Sequence, residues 1–220
     1  MRSLATPITN QERLGRVARA RALMAANSLD AVVLAGGTST VYFANVNWWL
    51  SERFFAIFLT ARGDDFAVCP AFEEERAREQ LTAGPLGNIP VLTWHEHEDP
   101  YSVAATGLGD RGIVTGRVGI EETVRFVFSD GLAKAAPAIT TASGTPVTAG
   151  CRAVKDAHEI ELMRLAAHVT LRAYAAAWRA LKEGMTQGDF AALVSAAHAR
   201  LGFAGSAGVQ TGIYSALPHG

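Results

Sequence analysis

The stretch that most limits how this chain can fold is Cys151–Leu171, CRAVKDAHEIELMRLAAHVTL, together with the residues that continue it to Leu181. Asp156 can accept a hydrogen bond from the free backbone N–H groups of a first helical turn. Glu159, three residues on, can reach back to the Asp156 N–H, the reciprocal arrangement of a capping box. Behind this start Ile160, Met163, Ala167, Thr170, Tyr174, Trp178 and Leu181 recur at steps of three and four, which predicts a long amphipathic helix with that stripe turned to a core. Everything before the helix reads as one finished α/β domain, 1–149. Everything from 150 to 220 reads as the opening of a second, incomplete one.

A length of 220 residues suits one large domain or two modest ones, and 49% hydrophobic residues supply a substantial core. The 20 basic and 21 acidic residues leave a formal net charge of −1, so there is no general attraction to nucleic acid or to an anionic membrane. No stretch approaches the roughly 18 apolar residues of a membrane span. Cys69 and Cys151 are the only cysteines, too few for a disulfide framework, and a cytoplasmic location is expected.

Taken in order, Thr9 and Glu12 form another capping box, and Leu14, Val17, Ala18 and Met24 carry helical spacing to Asn27. Asp30–Ala35, DAVVLA, is a continuous apolar run closed by Gly36 and Gly37, as expected of a strand buried on both faces and followed by a turn. Thr40–Leu59 holds seven aromatic residues in twenty positions and is expected to form two strands and a connection. Phe66–Pro70 should pair with the strand before it through the turn at Gly63-Asp64-Asp65. The charged run Glu73–Glu79 is a solvated helical face. Val91–His97 and Val118–Glu121 are further strands, Val127–Ala136 a short helix, and Ala142–Ala149 an exit from the domain. Such alternation argues a mixed sheet covered by helices. Beyond Gly184, Thr186 with Asp189 opens a helix carrying Phe190, Leu193, Val194, Ala197 and Leu201 to Gly202. Val209, Thr211 and Ile213 then alternate as in a strand.

Two clusters invite chemistry. In Asn47–Arg53 two adjacent indoles precede a Glu-Arg pair, and neighbours on an extended chain point opposite ways, so Trp48 and Trp49 cannot share one core. One of them should face a cleft or a partner subunit, where an aromatic wall beside Arg53 could recognise an apolar ring and a carboxylate. In His95-Glu96-His97-Glu98-Asp99 the two histidines share one strand face. Without a third ligand at recognisable spacing a metal site is the weaker reading, and Asp99 before Pro100 reads as a helix N-cap.

At this point the residues resemble a known family. Arg152–Ala166, RAVKDAHEIELMRLA, is similar to the inter-domain junction of the Xaa-Pro peptidases, the prolidase, aminopeptidase P and creatinase superfamily with a pita-bread catalytic domain. Val41–Asn45 with Ser51-Glu52-Arg53, then Cys69–Glu74, then Trp94–Tyr101, look like the N-terminal domain of bacterial Xaa-Pro dipeptidases, and Leu217-Pro218-His219-Gly220 looks like the segment that opens their catalytic site. The resemblance implies a creatinase/prolidase-type N-terminal domain followed by an incomplete α+β pita-bread domain. It implies cleavage of the bond before a C-terminal proline, with a proline-containing dipeptide or short peptide as substrate. Two divalent metal ions, manganese, zinc or cobalt, would activate the attacking water. His219 would be the catalytic histidine at the bound amide, Arg53 would meet the substrate carboxylate of a neighbouring subunit in a homodimer, and Trp48 or Trp49 would be the rim aromatic. The family's metal ligands lie beyond its Pro-His-Gly motif, so residues 1–220 alone are expected to bind no metal and to be inactive. A non-catalytic binding or dimerisation module, or a creatinase-like amidinohydrolase, is the alternative.

Overall fold

A computed structural model of the protein describes residues 1–216. The chain forms two compact units, one of Ile8–Val154 and one of Met1–Pro7 with the residues from Lys155 onward.

In the first unit the elements run α1 (Asn10–Ala26), β1 (Ala31–Ala35), α2 (Thr38–Ala44), β2 (Ala56–Thr60), β3 (Phe66–Pro70), α3 (Glu74–Ala83), β4 (Val91–Trp94), α4 (Pro100–Gly109), β5 (Gly116–Ile120), α5 (Phe126–Ala135), β6 (Ile139–Ser143) and α6 (Thr145–Arg152). The six strands make one mixed sheet in the order β4-β3-β2-β1-β5-β6. β2 runs antiparallel to β1, with Ala31 opposite Thr60, and antiparallel to β3; the β1–β5, β5–β6 and β3–β4 pairs are parallel. Strands β1, β2 and β3 are buried along their whole length, because helices cover both sheet faces. One core holds Met24, Leu34, Phe43, Ile57 and Leu59, and the other holds Phe54, Phe58, Phe66, Leu108 and Leu132. Each large side chain removed from water in this way contributes about 2–3 kcal/mol.

Tertiary packing redirects several expectations. Thr40–Ala44 belongs to helix α2 instead of a strand. Gly37, at φ +138°, starts the helix, and Asn45, in the left-handed region at φ +59°, stops it. The helix buries Phe43 and Ala44, and that burial outweighs the β-preference of Thr40, Val41 and Tyr42. The supposed exit at Ala142–Ala149 is strand β6 running into α6, whose first turn accepts Pro146. On α1 the buried face is Arg13, Arg16, Val17, Ala20 and Met24, while Leu14 is exposed. Both arginines satisfy α2 carbonyls, Arg13 Nε donating to Val41 O at 3.3 Å and Arg16 Nη1 to Tyr42 O at 3.2 Å, and the Arg16 guanidinium lies 4.0 Å from the Tyr42 ring centre.

The second unit is built on two helices, α7 (Ala157–Ala180) and α8 (Gln187–Leu201). Both start with the expected capping boxes, Asp156 with Glu159 and Thr186 with Asp189, and α8 ends at Gly202 in the left-handed conformation at φ +90°. The buried stripe of α7 is Val169, Ala173 and Ala177, facing Val194 and His198 of α8. The stripe expected to be buried is largely open, with Ile160, Met163, Tyr174, Trp178 and Leu181 all exposed. Small side chains let the helix axes approach, so the alanine face and not the bulky one was taken for this contact. Val209–Ile213 forms no strand; Gly212–Ala216 is a 3-10 turn.

Candidate functional site

Asn47–Arg53 joins α2 to β2, and three separate anchors hold it. The Asn47 N–H donates to Gln80 Oε1 at 2.7 Å. Trp48 stacks on Phe55 with ring centres 4.0 Å apart and planes 11° from parallel, and the Arg76 guanidinium lies 4.2 Å from its ring centre. Ser51 Oγ accepts from the Arg53 N–H at 3.2 Å, closing a small turn. The two indoles separate as alternation requires: Trp48 is 4% exposed and Trp49 80%.

Arg53 lies beyond this turn. Its Nε donates to Glu96 Oε1 at 2.8 Å and its Nη1 to Glu52 Oε1 at 2.5 Å, and its guanidinium carbon is 5.4 Å from the ring centre of Phe72, which is 65% exposed. The hydrogen bond to Glu96, with the charges of Glu96, Glu52 and Glu73, holds the Arg53 pKa above its ordinary value, so the guanidinium is permanently charged. The Trp94 indole N–H donates to Phe54 O at 3.0 Å and so fixes the end of β4 beside the start of β2, next to Glu96 and Arg53. The product is a solvent-facing cation matched by two carboxylates beside the exposed Phe72 ring, with the exposed Trp49 ring earlier on the same loop. Any anion that meets Arg53 does so in competition with Glu96 and Glu52.

Glu96 and Phe72 escaped the sequence reading. Glu96 lies inside the His95–Asp99 run, where the histidines drew attention. Those histidines do come together, with ring centres 5.8 Å apart and stacked, in a turn where the His95 N–H donates to Glu98 Oε2 at 2.7 Å; Asp99 caps α4 as expected. Among the described residues no three His, Cys, Asp or Glu side chains gather to hold a metal ion. These residues therefore do not fit the two-metal centre that the resemblance implies. His219 lies outside the described residues. Cys69, in the sheet, is driven up to about 12 by burial and by Glu73 and Glu74, which leaves it an inert thiol. Among the described residues no helix is long and apolar enough to cross a membrane.

Residues 16–154 match the creatinase/prolidase N-terminal domain. Over 98% of its length the chain is 28% identical to an uncharacterized peptidase of Schizosaccharomyces pombe, covering 49% of that protein, and over 77% of its length it is 26% identical to a putative dipeptidase of Bacillus subtilis, covering 46%. The dipeptidase PepE from Mycobacterium ulcerans superposes with a TM-score of 0.77 at 24% identity, over 89% of this chain and 51% of that one. A dipeptidase from Pyrococcus horikoshii superposes with a TM-score of 0.69 at 22% identity, over 84% and 50%. These structural likenesses show the fold. The chain spans about half the length of the curated relatives it matches. With the domain match running from α1 through α6, the chain belongs to the creatinase/prolidase N-terminal domain family.

Proposed function

We propose that the protein serves metal-dependent hydrolysis of Xaa-Pro dipeptides, with Ile8–Val154 recognising substrate and the metal ions held by residues other than those described. The observation that carries this reading is the run of similarity to a named peptidase over nearly the whole chain, joined to the family match of the first unit. In this reading Arg53 receives the substrate carboxylate, displacing Glu96, and Trp49 packs against the proline ring. Trp48 holds the loop from below. His219 stabilises the amide as its carbonyl carbon becomes tetrahedral. The patch works at the edge of a second copy's cleft, so the active form is a homodimer.

Residues 1–220 alone should not turn over an Xaa-Pro dipeptide with manganese, zinc or cobalt, whereas a longer polypeptide, if the reading frame continues, should. In that longer polypeptide His219→Ala should lower kcat at least about 100-fold. Turnover by a homogeneous 220-residue chain would overturn the proposal. A stop codon after Gly220 would favour a binding module instead.

A further inference from the structure

A buried carboxyl outside the Trp49 patch is tied to it through two peptide units. Glu121, at the end of β5, is 3% exposed, and its Oε1 accepts from the Ala35 N–H at 2.8 Å. Ala35 ends β1, and the next residue, Gly36, lies directly under the aromatic loop. A Cβ at Gly36 would lie 2.8 Å from Trp48 O and 2.9 Å from the carbonyl carbon of Trp49. The Ser39 hydroxyl of α2 hydrogen-bonds the same carboxyl and accepts from Arg152 Nη1 at 2.9 Å. Arg152 Nη2 donates to Glu122 Oε1 at 2.5 Å, and Thr148 Oγ1 donates to Glu122 Oε2 at 2.7 Å.

We propose that Glu121 is a positioning residue for the Trp48–Trp49 loop, and that its protonation state sets how firmly Ala35 and Gly36 seat that loop. The proposal rests on the loop being the substrate-contact segment. Among the described residues, the charges that act on Glu121 come from Glu122, its neighbour in the chain, and Arg152 from α6. β1 and α2 present the Ala35 amide and the Ser39 hydroxyl. After β6, Gly144 presents backbone only, its Cα so close that a Cβ would lie 3.0 Å from the Glu121 nitrogen.

Burial is the largest influence on Glu121. The Ser39 and Ala35 hydrogen bonds and Arg152 oppose it and Glu122 adds to it, leaving the carboxyl pushed up to about 7. Glu122 behaves oppositely: burial raises it, but Thr148 and Arg152 together bring it below its ordinary value, so a negative charge stands beside Glu121. Below pH about 7 Glu121 is therefore neutral and stays buried. Above it, the ionised group gains by admitting water or withdrawing toward solvent, and either movement loosens the Ala35 amide and the glycine under the loop.

The test uses the full 220-residue chain labelled with 5-fluorotryptophan and followed by fluorine NMR from pH 5.5 to 8.5, with resonances assigned by single Trp→Phe variants. The expected result is that Trp48 and Trp49 shift together with a midpoint near 7 while Trp178 does not. In Glu121→Gln, which keeps an acceptor for the Ala35 N–H, both should stay at their acid-limit positions. A flat wild-type profile, or the same titration persisting in Glu121→Gln, would overturn the proposal. If Glu121→Gln does not fold, carboxyl carbon NMR of wild-type Glu121 with amide exchange at Ala35 and Gly36 replaces it. A midpoint near 7, with exchange rising above it faster than base catalysis explains, supports the proposal, and a midpoint in the ordinary carboxylate range overturns it. None of these readouts needs turnover. The loop can titrate with Glu121 even where Arg53→Ala leaves KM unchanged, and then only the substrate assignment falls.

Discussion

At the scale of single residues the two adjacent indoles separate structure from recognition. Trp48 lies between Phe55 and the Arg76 guanidinium, so Trp48→Ala should destabilise the first unit by about 3–5 kcal/mol. Trp49→Ala should stay within roughly 0.5 kcal/mol, because its ring faces solvent. Urea unfolding of the two variants measures the contrast, and equal losses would mean the loop does not hold the indoles apart. Arg53 supplies the functional counterpart. In a catalytically competent form, Arg53→Ala should raise KM for an Xaa-Pro dipeptide about 10- to 100-fold with kcat little changed, the loss of a charge-assisted contact made equally in ground and transition states. Glu96→Gln should lower KM, since it removes the carboxylate that the substrate must displace. Alternation along an extended chain was enough to say that one indole would be exposed. Which of the two depended on Phe55 and Arg76 enclosing Trp48, and that Glu96 would stand against Arg53 from 43 residues away depended on the placing of β4 in the sheet.

Among the elements, helix starts were the most legible, because a cap is a local hydrogen-bond exchange that needs nothing distant. Thr9, Asp156 and Thr186 each accept from the backbone N–H three residues on. Asp156→Ala should therefore cost about 1 kcal/mol in the stability of α7, read as faster amide exchange across its first turn with the later turns unaffected. Uniform exchange along the helix would contradict a local cap. Helix faces were less legible. In α7 the spacing of the large residues suggested one buried stripe, and contact with α8 took another, made of Val169, Ala173 and Ala177. Periodicity reports which residues could share a face, while burial follows the partner that fits. For α2 the local preference was for strand, and the burial of Phe43 reversed it.

For the whole molecule, the sheet order decides where charge is buried. Parallel pairing of β1 with β5 sets the end of β5 beside Ala35, and Glu121 becomes the acceptor for its amide. Its folded-state value of about 7 exceeds the ordinary 4.5, so its stabilising contribution is complete below pH 4.5 and is lost as pH rises through about 7. Thermal unfolding should show the first unit losing on the order of 2–3 kcal/mol across that window, with Glu121→Gln matching wild type at pH 4.5 and exceeding it at pH 8. A wild-type unit more stable at pH 8 than at pH 5 would refute this sign. Residues 8–154, which hold both sheet cores, should unfold cooperatively on their own. By itself the amino-acid sequence determined the mixed α/β class, the fully buried first strand, the four capped helices and the family resemblance, because propensity, capping and alternation act within a few residues. Only the tertiary structure decided the strand order, the buried face of each helix, the carboxylates around Arg53 and the elevated Glu121, because each depends on residues brought together from far apart in the chain, where burial and charge are set by neighbours that local patterns do not contain.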